Sequence, residues 1–200
     1  VIPAPPAGTG RACHRADIRG GGGRAGRPPR IRALPAALTI RDAQPADAEA
    51  VAAIYNEGIA EREATFETRL RDADDVREWL RGLYPVLVAE LDGEIVGFAR
   101  IGPYSEREVY AGIGEHGVYV TRAARRHGVG LALLEALAGA AQGIGLHKLT
   151  SRIFTTNTGS IALHQAAGFT VVGTQRRHGL LEGRWRDCVL VERLIGDAAE

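Results

Sequence analysis

From Leu38 onward the chain alternates between two hydrophobic rhythms, a period near two that marks strands and a period near 3.6 that marks helices. "LTIR" (38 to 41) is a short strand, and Pro45 opens a helix whose apolar stripe is Val51, Ile54, Tyr55, Gly58 and Ile59. Asp72 is placed to cap a second helix running through Val76, Trp79 and Leu80. "PVLVAEL", Asp92-Gly93 and "EIVGFARI" read as a hairpin, because a two-residue turn of this kind favours positive φ. A polar loop, "GPYSEREVYAG", leads to the strand "EHGVYV" and then to a long helix. On that helix Val129, Ala132, Leu133, Ala136, Leu137 and Ala140 share one face. "KLTSRIF" is a strand, "NTGSIALHQAAG" a helix ending at Gly168, and "FTVVGTQ" and "WRDCVLVERL" are strands about a turn spanning Gly179 to Gly183. The order β-α-α-β-β-β-α-β-α-β-β predicts an α/β fold with one mixed central sheet flanked by helices.

Residues 1–37 break the rhythm. They are rich in Gly, Pro and Arg and bury too little to offset chain entropy, so they read as a disordered or non-native N-terminal extension. The domain is placed at 38–195 and a disordered tail at 196–200. The run Gly20 to Gly23 follows no strand and opens no helix, which a phosphate loop requires. The extension has no continuous apolar core of a secretion signal, and no apolar run in the chain reaches the roughly 18 residues of a spanning helix.

Charge narrows the partners. The net charge of +1 conceals seven arginines against Asp17 in residues 1–37, which leaves the rest near −5. A body of that sign is poorly made for a polyanion, so small molecules are expected rather than nucleic acid or a membrane. Cys13 and Cys188 form no framework, and a reducing, cytoplasmic setting follows from that usage. No histidine spacing suggests a metal site, and no G-x-S-x-G elbow is present.

The segment "RRHGVGLALLEALAGAA" (125 to 141) carries the first chemical signal. Gly128 and Gly130 let a ligand approach the backbone, and the first-turn amides of the helix point outward with the positive end of its dipole. A pyrophosphate suits such a site, with Arg125 and Arg126 beside it, whereas a helix needing only a cap would use Ser, Thr, Asp or Asn.

At this point the chain resembles the GNAT family of N-acetyltransferases, over about residues 38 to 195. The Q/R-x-x-G-x-G/A motif of that family, which holds the acetyl-CoA pyrophosphate, matches Arg125, Arg126, His127, Gly128, Val129 and Gly130. The resemblance implies the GNAT fold, and acetyl-CoA as cosubstrate without a metal. It further implies a splayed strand bearing Val118, Tyr119 and Val120 whose backbone pairs with pantetheine, and a second cofactor contact at Asn157.

Acetyl transfer to an amine needs a base, and a donor for the developing charge. Glu115 shares a strand face with Gly117 and Tyr119, while Asn157, Ser160 and His164 form one polar stripe on an Ala/Leu-rich helix. A strand carboxylate paired with an arginine, and a core histidine, are the plain alternatives for Glu115 and His164. His116, His127, His147 and His178 show no comparable constellation.

"ATFET" (64 to 68), "GPYSEREVY" (102 to 110), "EHGVYV" (115 to 120), "LHQAAGF" (163 to 169) and "GLLEGRWRD" (179 to 187) are similar, in order, to the phosphinothricin N-acetyltransferase branch. That likeness implies catalytic roles for Glu115 and His164, and a substrate pocket holding Phe66, Arg107 and Tyr110. An anionic amino acid needs a planar, permanently charged donor, which suits Arg107; a solvated loop arginine is the alternative. Ser105 stands where phosphinothricin acetyltransferases commonly have lysine. "SRIF", "RRHG" and "GRWRD" are instead similar to arsinothricin N-acetyltransferases, and Arg152 is placed to supply the missing charge. The implied activity is acetylation of the α-amine of arsinothricin, phosphinothricin or methionine sulfoximine, by a homodimer. An acetyltransferase for another amine or a protein N-terminus, and an inactive acetyl-CoA sensor, stay open.

Overall fold

The computed structural model describes residues 38–199, and the expectation for residues 1–37 lies outside them. The strands are β1 (Leu38–Asp42), β2 (Val86–Leu91), β3 (Glu94–Pro103), β4 (Ile113–Val120), β5 (Lys148–Phe154), β6 (Thr170–Leu181) and β7 (Arg184–Leu194). The helices are α1 (Ala48–Glu61), α2 (Ala73–Arg81), α3 (Val129–Gly143) and α4 (Thr158–Ala166), in the order the hydrophobic pattern predicts. Local chemistry accounts for several boundaries. The carboxylate of Asp72 accepts from the amide of Asp75 at 2.9 Å and that of Asp75 from the amide of Asp72 at 3.1 Å, a reciprocal cap that starts α2. Asp92 and Gly93 both take positive φ, 52° and 86°, which closes the tight turn between β2 and β3.

The seven strands form one sheet in the order β1-β2-β3-β4-β5-β7-β6. Every neighbouring pair is antiparallel except β4 and β5, which run parallel with α3 as the crossover between them. Their pairing is short: Ile113 with Lys148, Gly114 with Leu149, and Glu115 with Thr150. Beyond Glu115 the two strands part.

A core lies on each face of the sheet. α3 packs Val129, Leu133, Leu134, Leu137 and Ala138 against Ala99, Ile101 and Leu149 on one face. α1 and α2 pack Val51, Ile54, Tyr55, Ile59 and Val76 against Val88 and Phe98 on the other. The α3 stripe sits one position round from the one expected. Leu134 and Ala138 are buried, while Ala132, Ala136 and Ala140 are half-buried, because the larger leucine fills the layer between helix and sheet better than alanine does. At the C-terminal end Gly196–Ala199 form one 3-10 turn.

Candidate active site

Where β4 and β5 part, the protein encloses a cavity of about 950 Å³, within the usual size of a ligand pocket. Its walls are residues Glu115 to Val120 of β4, the N-terminal ends of α3 and α4, and the α1–α2 loop around Phe66.

The α3 end is shaped for an anion. Arg126 and Gly128 take φ of 65° and 83°, and no side chain caps the helix at Gly128, so the first-turn amides have no intrahelical partner and open toward the cavity. A Cβ on Gly130 would lie 2.9 Å from Leu163, so glycine also lets α3 and α4 approach closely. Arg126, Gly128 and Gly130 line the cavity, whereas His127 does not. Val129 turns its side chain into the core and offers only its amide. Arg125 lines the cavity but is held, donating to the Val120 carbonyl at 3.0 Å and to Glu61 of α1 at 2.8 Å.

Glu115 stands at the parting of the strands, and its carboxylate accepts from Arg152 of β5 at 2.5 Å. The arginine pairing weighed for Glu115 is therefore present, and its partner, Arg152, is another residue expected in the site. His164 of α4 is buried. Its Nδ1–H donates to the Ser160 carbonyl at 2.7 Å, so Nε2 is the bare nitrogen, and it lies 3.1 Å from Nε2 of His116. The His116 nitrogen is the donor in that contact. Burial, and then the neighbouring His164, push His116 down to about 3, and burial lowers His164 as well, so both rings are neutral at pH 7. The view of His116 as a residue without a constellation is thus corrected: register places it against a histidine 48 positions away in the chain. Asn157 caps α4 by accepting from the Ser160 amide at 3.0 Å, and its amide nitrogen donates to the Glu63 carbonyl at 3.1 Å. The N-terminus of α4 is thereby tied to the α1–α2 loop.

Phe66 lies in the cavity wall with its ring edge-on to Phe154 at 4.7 Å. Gly179 makes room for it, since a Cβ there would fall 2.5 Å from the ring. Arg107 and Tyr110 are not in the wall. The β3–β4 loop leaves Arg107 exposed with its guanidinium 5.3 Å from the Tyr110 ring, apart from the residues that line the cavity. A different arginine is in the wall: Arg100 of β3, packed over the Trp79 ring at 4.2 Å.

A GNAT acetyltransferase domain model matches residues 40–190. The chain belongs to the GNAT acetyltransferase family. It is 33% identical over 166 residues to an L-methionine sulfoximine/L-methionine sulfone acetyltransferase of Salmonella typhimurium, covering 81% of this chain and 97% of that one. Among solved structures it is similar to a phosphinothricin acetyltransferase of Sinorhizobium meliloti in complex with acetyl-CoA, with TM-score 0.75, 30% identity, and coverage of 80% of this chain and 89% of that one. It is also similar to a ribosomal-protein-alanine N-acetyltransferase of Brucella melitensis, with TM-score 0.75, 37% identity, and coverage of 78% and 99%. The chain is accordingly an N-acetyltransferase with the mixed sheet and flanking helices of its GNAT neighbours. Two residues of this GNAT site, His116 and Arg100, escape a reading of the sequence. His116 lies on the opposite strand face from Glu115, and Arg100 sits in a run that reads as an ordinary half-exposed strand end.

Among the described residues no group of three or more His, Cys, Asp or Glu is placed to hold a metal ion, and no helix is long and apolar enough to cross a membrane.

Proposed function

We propose that this protein acetylates the α-amine of a glutamate-like toxic amino acid, arsinothricin, phosphinothricin or methionine sulfoximine, using acetyl-CoA, and thereby confers resistance. The observation that carries the reading is the meeting, in one cavity, of the Glu115–Arg152 pair and the uncapped N-terminus of α3. The names of the relatives support N-acetylation of such analogues.

The residues fit the cosubstrate. The amides opened by Arg126 and Gly128 suit a pyrophosphate, and a side chain at position 130 would crowd Leu163. Apart from the Val120 carbonyl, which Arg125 holds, the backbone of Val118, Tyr119 and Val120 has lost β5 as a neighbour and is open on that side to pair with an amide-bearing chain. When bound, acetyl-CoA supplies the thioester. Arg152 neutralises one flank of Glu115 and holds its carboxylate in the opening. There Glu115 accepts a proton from the substrate ammonium, directly or through one water, and leaves an amine able to attack a carbonyl. Phe66 closes the apolar side. Asn157 holds the mouth of α4, the Ser160 carbonyl fixes the His164 tautomer, and His164, a neutral imidazole hydrogen-bonded to His116, is the second polar group assigned to the transfer. As the C–N bond forms and the C–S bond breaks, the second proton of the amine goes to the departing thiolate, which leaves as the thiol. Acetylation cancels the charge of the amine, so the analogue no longer presents the cationic head of an amino acid.

Thiol release from acetyl-CoA is measured on arsinothricin, phosphinothricin, methionine sulfoximine and glutamate. Turnover strongly favouring one or more of the first three is expected, and near-zero rates across the panel would overturn the proposal. Glu115→Gln is expected to lower kcat by roughly 10²- to 10⁴-fold with acetyl-CoA binding retained. His164→Ala is expected to lower it too, and an unchanged kcat in both variants would remove the assigned roles. A homodimer belongs to this reading. β6 is one of the two edges of the sheet, and its pair with β7 leaves Leu180 and Trp185, directly opposite each other, 55% and 58% exposed.

A further inference from the structure

The floor of the cavity carries three positions in a row across the sheet. On β3, Arg100 pairs with Gly117 of β4, so the two side-chain positions share a face. On β5, Arg152 lies two residues beyond Thr150, the register partner of Glu115, and is therefore level with Gly117 on the same face. Glycine at the centre adds no side chain there, and the Tyr119 ring lies against it, 3.1 Å from where a Cβ would stand. Two guanidiniums thus flank a strip that carries no side chain of its own beside the Tyr119 ring, their strands separated by two strand spacings, roughly 10 Å.

The two arginines are not equivalent. Arg152 is paired with Glu115, the residue assigned to the amine. Arg100 makes no ion pair among the described residues. It packs on the face of Trp79 within electrostatic reach of Tyr55 and Tyr119, and the nearby carboxylate Glu67 is held by Arg71 at 2.7 Å. Burial works against the charge of Arg100, yet a guanidinium does not give up its proton in a protein. A partly buried cation that faces a cavity with no ion pair of its own is a costly arrangement that an acidic ligand group relieves.

We infer that Arg100 is a specificity-determining residue: it binds the acidic side-chain head of the substrate, and so selects amino acids with an anionic phosphinate or arsinate γ-group over those with a neutral sulfoximine or sulfone. This rests on the function proposed above. Glu115 fixes the amine, which brings the adjacent α-carboxylate toward Arg152, and the extended side chain then crosses Gly117 toward Arg100. A planar fork of donors backed by an indole suits a tetrahedral or carboxylate oxyanion, and a neutral head would leave those donors without a charge partner.

The test measures kcat/KM for phosphinothricin and for methionine sulfone in the wild type, Arg100→Gln and Arg100→Lys. The wild type is expected to prefer phosphinothricin. In Arg100→Gln the ratio of the two values should fall at least about 30-fold, the scale for truncating one member of a buried charge pair. Arg100→Lys should lie between, since it keeps the charge and loses the fork. A purely structural role on Trp79 would lower both substrates together and leave the ratio unchanged, and that result overturns the inference alone. A wild type that acetylates methionine sulfone at least as well as phosphinothricin also overturns the inference alone. Near-zero rates on these two, and on arsinothricin and methionine sulfoximine, overturn the proposed function and this inference with it.

Discussion

At the scale of single residues, the buried imidazole pair sets a measurable pH dependence. His116 and His164 titrate below their usual range in the folded protein, because burial excludes the charged form. Between the ordinary histidine value near 6.5 and about 3 for His116, the unfolded chain binds protons that the fold refuses. Their contribution to stability is therefore intact above pH ~6.5 and is lost as pH falls, with a slope of up to about 1.4 kcal/mol per pH unit for each group. Urea unfolding at steps from pH 7.5 to 5 should show this decline, and His116→Gln should make it shallower. Equal slopes in the two proteins would contradict the pairing. The same pair shows why part of the site was not legible in the sequence. Glu115 can be found from its strand face, because alternation fixes which neighbours it shares, whereas His116 gains its meaning from a contact made across the sheet–helix layer. Arg107 shows the converse: resemblance and residue type together suggested a ligand, while the direction of its loop, which no periodicity encodes, leaves it exposed beside Tyr110.

At the scale of elements, order and type were legible because each signal was local: the alternation of β2 and β3, the Asp92-Gly93 turn and the Asp72 cap all act within a few residues. Position on α3 was harder to read, because alanines and leucines fill adjacent stripes of one apolar helix and only packing decides which faces inward. The opening between β4 and β5 is likewise a tertiary fact, and it entered the sequence reading through family resemblance alone. The α1–α2 loop, which carries Phe66, is an element in its own right. Asn56 of α1 clamps it at Arg71, donating to the carbonyl and accepting from the amide, each at 2.8 Å, and Asn157 holds it at Glu63. Asn56→Ala removes both bonds at one anchor, which costs about 1–3 kcal/mol where polar groups are left unmet. The variant should raise KM for the amino acid several-fold with a smaller change for acetyl-CoA. Initial-rate kinetics with each substrate varied separately checks this, and equal changes in both would show that the loop does not belong to the amine side.

At the scale of the whole molecule, the free β6 edge and its exposed Leu180–Trp185 pair predict assembly across a two-fold axis, a self-complementary contact. Light scattering should give twice the chain mass, and Trp185→Glu should halve it; a wild-type monomer would overturn the dimer. The three-residue pairing of β4 with β5 has a mechanical meaning as well. Strands β1 to β4 make one continuous antiparallel plate and β5 to β7 another, and the seam between them is the least stitched line in the sheet. The molecule is built like a clothes-peg, with α3 bridging the jaws as a spring. Load applied across the strands opens it along the line where Glu115 sits, and a guest lying in the seam becomes the missing stitch.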